Sequence, residues 1–395
     1  MQKIITRFPP SPTGPLHIGN VRTALFNYLF ARKNGGNFIV RVEDTDRARS
    51  KKEYEENMLA CLKWLDLDHV GQILHQSERT EVYKNYLNKL IDEDKAYVSE
   101  EIEGENREVV RFRNPKKLIK FIDLIRGEVE FDTTELEDFI IARNINEPVY
   151  HLAVVVDDFE SEVTHIIRGE DHISNTPRQI LIQEALGMPR PQYAHLPLIL
   201  APDRSKLSKR KHGESVSLDY YRNKGYLPEA IINYLALLGW NPGTDQEIFT
   251  MEELIEQFDL DKIQKGGAIF DEKKLDWINK EHIKRLPEDV QREMKLKEVG
   301  DLPYIKIAPN LDAGKICWKE VSKEDSKKHL ERVKELAGDD AAIMEYATTV
   351  GKGNVLWPLR YALSGEEKSP DPFTLMAALG KDESVSRIQR AIDLL

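Results

Sequence analysis

The short apolar run KIIT, residues 3–6, leads into RFPPSPTGPLHIGN, Arg7 to Asn20, and then into VRTALFNYLFARK, which reads as a strong helix. Pro9, Pro10, Pro12 and Pro15 fix the backbone between a strand and a helix, so the loop's polar side chains have little conformational entropy left to lose. This loop therefore constrains the chain path more than any other stretch. The first N–H groups of the following helix lack intrahelical partners and carry the positive end of its dipole, which suits a phosphate chain. His17 adds a donor at the helix mouth, and Gly19 leaves space for a flat ring. Taken alone, the stretch reads more readily as a rigid surface turn with an N-cap, and only its context argues for a site.

Its neighbours form a βαβ pattern. KIITRF predicts a buried strand, GNVRTALFNYLFARKNGG a helix closed by Gly35 and Gly36, and NFIVRVEDTD a second strand ending in acids. Such units build parallel sheets whose ligands sit beyond the carboxyl ends of the strands, so the proline loop and the acids fall on one rim. From residue 77 to 148 the pattern changes to an amphipathic helix, RTEVYKNYLNKLIDEDK, and short strand-like pieces, VVRFR and IRGEVEF. This predicts an inserted subdomain. VYHLAVVVDDF and VTHIIRGEDH return to β-branched strand character, and NTPRQILIQEALG predicts a helix capped by Asn or Thr with a proline in its first turn. Beyond Ser217, apolar residues recur at helical spacing to the end.

At 395 residues and 41% hydrophobic, the chain can bury two or three cores. No apolar run is long enough to span a bilayer, and the N-terminus lacks a signal peptide's basic-then-apolar order, so a cytoplasmic protein without membrane contact is expected. Cys61 and Cys317 are far apart in sequence, which predicts neither a disulfide framework nor a metal knuckle. A net charge of −11 argues against indiscriminate nucleic-acid binding but permits a local basic face.

Arg204 to Gly213, RSKLSKRKHG, crowds five cations around Ser205 and Ser208. A basic run by itself is usually a solvated face. Paired with HIGN, however, it resembles the HIGH and KMSKS signatures of class I aminoacyl-tRNA synthetases. RFPPSPTGPLHIGNVRTALFNYLFAR, RVEDTD, THIIRGEDHISNTPRQ, AHLPLIL, KLSKRKHG, GYLPEAIINYLALLGW and FDEKKLDWIN narrow the resemblance to glutamyl-tRNA synthetases of the bacterial type. It is strong from Ile4 to Trp277 and returns at WPLRYALSG.

The resemblance implies an α/β fold: a class I synthetase Rossmann catalytic core with an α+β insertion, followed by an all-α C-terminal anticodon-binding domain. Residues 1–76 and 149–200 would be the two halves of the catalytic domain, and 77–148 an inserted acceptor-binding subdomain. Residues 201–270 would be a stem-contact region with the KLSKR loop, and 271–395 the helical domain. The activity implied is ATP-dependent conversion of L-glutamate to glutamyl-adenylate and transfer to the 3′ end of tRNA(Glu), by a monomer, with Mg2+ accompanying ATP.

By the same resemblance, Arg7 forks onto the substrate's side-chain carboxylate, which guanidinium suits and lysine does not. Glu43 would hold the ammonium with Ser11 assisting, and Tyr150 and Arg168 would line the pocket. Read without the family, Arg168 is equally a partner for Glu170 or Asp171. Adenine would lie near Gly19 and the backbone of Leu198 and Ile199. The phosphates would lie near His17, Asn20, Lys206 and Lys209, with His17 and Lys209 as the catalytic pair. HIGN ends in Asn20 where other class I enzymes often carry histidine, and asparagine still donates to phosphate.

Within the insertion Arg107, Arg111, Arg113, Lys116, Lys117 and Lys120 alternate with Val110, Phe112 and Phe121. They form either a groove for acceptor-end phosphates or an amphipathic strand with solvated cations. Glutaminyl-tRNA synthetases share the core but have a β-barrel C-terminal part, and tRNA-modifying glutamyl paralogues lack the helical region. A catalytically silent tRNA-binding module would have lost His17, Gly19 and Lys209. A nucleotidylyltransferase acting on a small acid would need no tRNA-facing domains.

Many bacterial relatives carry a cysteine-rich zinc site in the insertion, where residues 77–148 here contain neither Cys nor His. Structural zinc uses those ligands at short spacing. Metal analysis of the purified protein is therefore expected to find no stoichiometric zinc, and one zinc per chain would contradict this reading.

Overall fold

The computed structural model describes residues 3–101 and 108–395, with the side chains of Lys209 and Arg210 outside that set. Strand β1 (Ile5–Phe8) is followed by the proline loop and by helix α1 (Ile18–Lys33). α1 is buried on most sides, with Ile18, Val21, Leu25, Phe26 and Leu29 all fully enclosed. A helix so placed has little polar face to show. After α1 the chain reverses through Gly35, at φ +62°, and Gly36. A Cβ at Gly36 would lie 2.3 Å from the Ile4 carbonyl, so glycine is needed where β2 returns beside β1. β2 (Asn37–Val42) pairs parallel with β1 from Ile5↔Asn37 to Phe8↔Val40, and β3 (Leu74–His75) extends the sheet at Arg41↔Leu74.

Helix α2 (Thr80–Asp92) then leads into the insertion, where β4 (Ala96–Glu100), β5 (Glu108–Phe112), β8 (Phe139–Asn144) and β9 (Glu147–Pro148) form an antiparallel sheet. The hairpin between them, β6 (Leu118–Asp123) and β7 (Gly127–Asp132), instead joins the catalytic sheet. β6 meets β11 (Gln192–Leu196) at Tyr193↔Asp123, and β11 runs parallel to β10 (His165–Gly169). The Thr164 N–H donates to the Ile5 carbonyl at 3.0 Å, and the Ile5 N–H donates to Thr164 Oγ1 at 2.9 Å. These bonds bring β10 alongside β1, so the insertion contributes an edge to the sheet that carries the rim.

VYHLAVVVDDF is a helix, α3 (Tyr150–Glu160), where sequence predicted a strand. Its residues from Leu152 to Asp158 are all buried, so no polar face marks a helical period, and its valines point towards strand. The sheet resumes one element later, at β10. Helix α4 (Thr176–Leu186) has Pro177 in its first turn and ends at left-handed Gly187, as expected, but Asn175 gives no side-chain cap. Thr176 is drawn into the site described below. β12 (Ile199–Leu200) pairs parallel with β13 (Ala268–Ile269), and α5 (Pro228–Leu237) packs against α1 in the same core. Helix α6 (Glu272–Ile283) buries Leu275 and Ile278 in this same core.

Two compact units result, one ending at Ile283 and the other running from Lys284 to Leu395. The second contains only helices among its elements, around Leu330, Val333, Ile343, Leu359, Leu375 and Ile388. Buried Arg387 satisfies its charge there with the carbonyls of Tyr304, Ile305 and Leu363 and with Glu383.

Gly36→Ala is expected to destabilise the first unit by about 1–3 kcal/mol, the range for overpacking. Gly266→Ala, with nothing within 4 Å of its Cβ position, is the control. Urea unfolding of both variants checks the difference.

Candidate active site

Beyond the carboxyl ends of β1, β2 and β10 lies a cavity of about 590 Å3. Its lining includes Arg7, Ser11, His17, Gly19, Asn20, Glu43, Tyr150, Arg168, Leu198, Ile199 and Lys206. Every candidate residue whose side chain is described is thus on one wall or another of it. The backbone of Lys209 opens a single helical turn, Lys209–His212, and its side chain lies outside the described residues.

The floor is a buried ionic network. Arg7, 1% exposed, donates from Nε to Asp158 Oδ1 at 3.1 Å and from Nη2 to Oδ2 at 3.4 Å. Arg41, also 1% exposed, donates to Asp158 Oδ1 at 2.6 Å and to Glu43 Oε1 at 2.9 Å. Behind it Asp157 accepts from Gln76 at 2.7 Å, Tyr83 at 2.8 Å and Arg79 at 2.8 Å. Burial pushes the Asp158 carboxyl up, but Arg7 and Arg41 outweigh it and hold the group below its ordinary value. Burial raises Glu43, against the opposing pull of Arg41.

The fork of Arg7 is therefore already occupied by Asp158, and Nη1 is the nitrogen it leaves buried without a partner among the described residues. Arg168 is in the same condition. It pairs with neither Glu170 nor Asp171: Nε donates to His195 Nε2 at 3.2 Å and Nη2 to Thr176 Oγ1 at 2.8 Å, leaving Nη1 unpartnered. Two orphaned guanidinium N–H groups on one cavity suit an anion with two oxygens. Tyr150 opens α3 and donates to His172 Nδ1 at 3.1 Å. Burial, followed by the charge of Arg168, pushes His172 down to about 4 and keeps it neutral.

At the mouth of α1, His17 is the N-cap and its Nδ1 accepts from the Gly19 N–H at 2.9 Å. A Cβ on Gly19 would fall 3.2 Å from that same Nδ1, so the glycine accommodates the capping ring. Burial, and then the charge of Lys206, lowers His17, which leaves a neutral imidazole with its proton on Nε2. Lys206 is held by Asp171 at 2.9 Å. Of the backbone expected beside adenine, the Leu198 N–H already donates to Glu170 at 2.8 Å, and its carbonyl accepts from Ala268 at 3.0 Å. The Ile199 carbonyl accepts from Leu207 at 3.0 Å.

Sequence reading missed Arg41, Asp157 and Asp158. A charge inside the apolar strand NFIVRV and paired acids inside VVVDDF were the available signals, since such groups are buried only with partners. It also missed Arg22, which bonds the Pro197 and Leu238 carbonyls and ties α1 to the loop after β11 and to the end of α5. In the insertion, Arg111, Arg113, Lys117 and Lys120 pair with Glu101, Asp94, Glu184 and Glu130. That favours a self-paired solvated face over a phosphate groove for these four; Lys116 has a backbone bond to Asn114, and Arg107 lies outside the described residues.

Residues 3–108 and 98–277 match the family model for tRNA synthetases class I (E and Q), catalytic domain, and 275–392 match an anticodon binding domain. A glutamate–tRNA ligase of Carboxydothermus hydrogenoformans is 40% identical, the match covering 97% of this chain and 98% of that protein. One from Aquifex aeolicus is 39% identical with full coverage of both. The crystal structure of a glutamate tRNA ligase from Elizabethkingia meningosepticum in complex with its amino acid superposes with a TM-score of 0.78. It is 31% identical and covers 99% of each chain.

Asp158→Asn removes the charge that two buried arginines share, and is expected to cost about 3–5 kcal/mol in urea unfolding. Because the folded carboxyl is held below its ordinary value of 3.8, the stability it contributes is complete above that pH. It is lost as pH falls through the lower, folded value. The wild type should therefore be destabilised by acid over that interval more than the variant, and parallel pH profiles would contradict the assignment.

Proposed function

We infer that this chain, which belongs to the class I tRNA synthetases of the E and Q type, works as a glutamate–tRNA ligase. It activates L-glutamate with ATP and transfers the glutamyl group to the 3′ end of tRNA(Glu), as a cytoplasmic monomer. The observation that carries the substrate is the pair of unpartnered Nη1 atoms on Arg7 and Arg168. The glutamate side-chain carboxylate binds across them, one oxygen to each guanidinium, while Asp158 keeps Arg7 in place from behind. This replaces the two-point fork from Arg7 alone, since its other edge is engaged. Glu43 and Ser11 receive the substrate ammonium, and Tyr150 closes the pocket wall.

ATP lies along the mouth of α1, with adenine against Gly19 and the Leu198–Ile199 edge and its phosphates towards His17 and Asn20. The α-carboxylate of glutamate attacks the α-phosphorus, and pyrophosphate leaves. His17, neutral with its proton on Nε2, donates to the phosphate without giving the proton up. Lys206 exchanges Asp171 for the leaving pyrophosphate, and Lys209 joins it from the next turn. No side-chain nucleophile is required, and the barrier falls by fixed charge placed where negative charge accumulates. Magnesium bound to the ATP phosphates would neutralise part of their charge.

Charging of tRNA with labelled glutamate and glutamine tests the reading: glutamate is used and glutamine is a very poor substrate. Comparable use of glutamine would sink the pocket assignment. Lys209→Ala is expected to lose roughly 2–4 kcal/mol of transition-state stabilisation in adenylate formation, with glutamate binding little changed. Arg7→Lys keeps the charge but cannot hold Asp158 and substrate together. It should raise KM for glutamate while leaving that for ATP unchanged in pyrophosphate exchange.

A further inference from the structure

His195, from the AHLPLIL stretch, is fully buried and outside the cavity lining, yet it touches Arg168. Its Nδ1 lies 2.6 Å from Asp123 Oδ2, at the end of β6 in the inserted hairpin. Asp123 also accepts the His195 N–H at 3.1 Å and the Ile125 and Arg126 N–H groups at 3.0 and 2.8 Å. Burial pushes Asp123 up, but the His195 and backbone bonds outweigh it and keep it ionised. An ionised carboxylate only accepts, so His195 Nδ1 carries a proton. Burial lowers His195, which leaves Nε2 as a bare acceptor. Two donors converge there, Arg168 Nε at 3.2 Å and the Thr176 hydroxyl at 3.1 Å. Because Arg168 Nη2 also donates to Thr176, the whole Nε edge of the guanidinium is fixed, and Nη1 is the group left on the cavity side.

We propose that Asp123, by fixing the tautomer of His195, aims Arg168 at the substrate carboxylate, so that the hairpin donated by the insertion sets glutamate recognition. Asp123 and His195 are positioning residues, and the proposal rests on the reading of Arg168 given above. The opposite tautomer would place an N–H of His195 against the N–H of Arg168, and the guanidinium would have to turn. No residue that lines the pocket would have been substituted.

Asp123→Asn tests this with the same shape. The asparagine carbonyl keeps the Ile125 and Arg126 N–H groups, and its amide then donates to His195 Nδ1, which moves the imidazole proton to Nε2. Glutamate KM in tRNA charging is expected to rise on the order of ten- to a hundredfold, the scale of leaving one buried donor opposed. KM for ATP should stay within about twofold. Nitrogen-15 NMR of labelled histidine, with His195 assigned by its disappearance in His195→Gln, should show Nδ1–H in the wild type and Nε2–H in Asp123→Asn. His195→Gln, whose carbonyl can still accept from Arg168, should keep glutamate KM near wild type, whereas His195→Leu should lose it. The latter pair decides the matter if Asp123→Asn does not fold. An Nε2–H tautomer in the wild type, an unchanged glutamate KM in Asp123→Asn with the tautomer reversed, or equal glutamate KM in His195→Leu and wild type would each overturn the proposal. Failure of the wild type to use glutamate would overturn the functional reading instead, and the tautomer measurement stands apart from it.

Discussion

Arg41 is the group on which the catalytic unit turns. It is a full charge placed inside a parallel strand, and removing such a charge from water costs several kcal/mol unless partners recover it. Asp158 and Glu43 recover it directly, and Asp157 lies 3.7 Å from its Nε. Those partners come from α3 and from the end of β2, so the strand and helix are tied by charge as well as by packing. Asp158 then also holds Arg7. A buried ion pair is weak grounds for stability, but its directionality is exacting, and here it sets which nitrogen of Arg7 remains for a ligand.

The two sides of the cavity follow different electrostatic rules. On the amino-acid side, cations are buried, fixed and each short of one partner. On the phosphate side, the groups are neutral or exposed: His17 is lowered by burial, and the Lys206–Asp171 pair is largely solvated. The first arrangement suits recognition of a small anion by fixed geometry. The second suits charge that moves during reaction, because an exposed pair is worth little and is easily exchanged.

Much of this was legible in the sequence. The proline loop, the helix after it and the acids ending the second strand define the rim, and Arg7, Ser11, His17, Glu43 and Arg168 all reach it. What sequence reading misplaced was α3, because a helix buried all round carries no period, and its valines mimic a strand. That error also hid Asp157 and Asp158. As strand residues they would point to opposite faces, whereas on the helix one serves Arg79, Tyr83 and Gln76 and the other serves Arg7 and Arg41. The insertion looked like a separate subdomain because its hairpin pairs with β11, seventy residues on, and long-range pairing leaves no local mark. Asp123 and His195 were invisible for the same reason.

The central claim is that glutamate is read by the free Nη1 atoms of two arginines whose other nitrogens are held by the protein. A crystal structure of the protein with L-glutamate tests it most directly. The account predicts the side-chain carboxylate within hydrogen-bond distance of both Nη1 atoms, with Arg7 still on Asp158 and Arg168 still on His195 and Thr176. A carboxylate bound elsewhere in the cavity, or an Arg7 that has left Asp158 to bind it with both nitrogens, would contradict it.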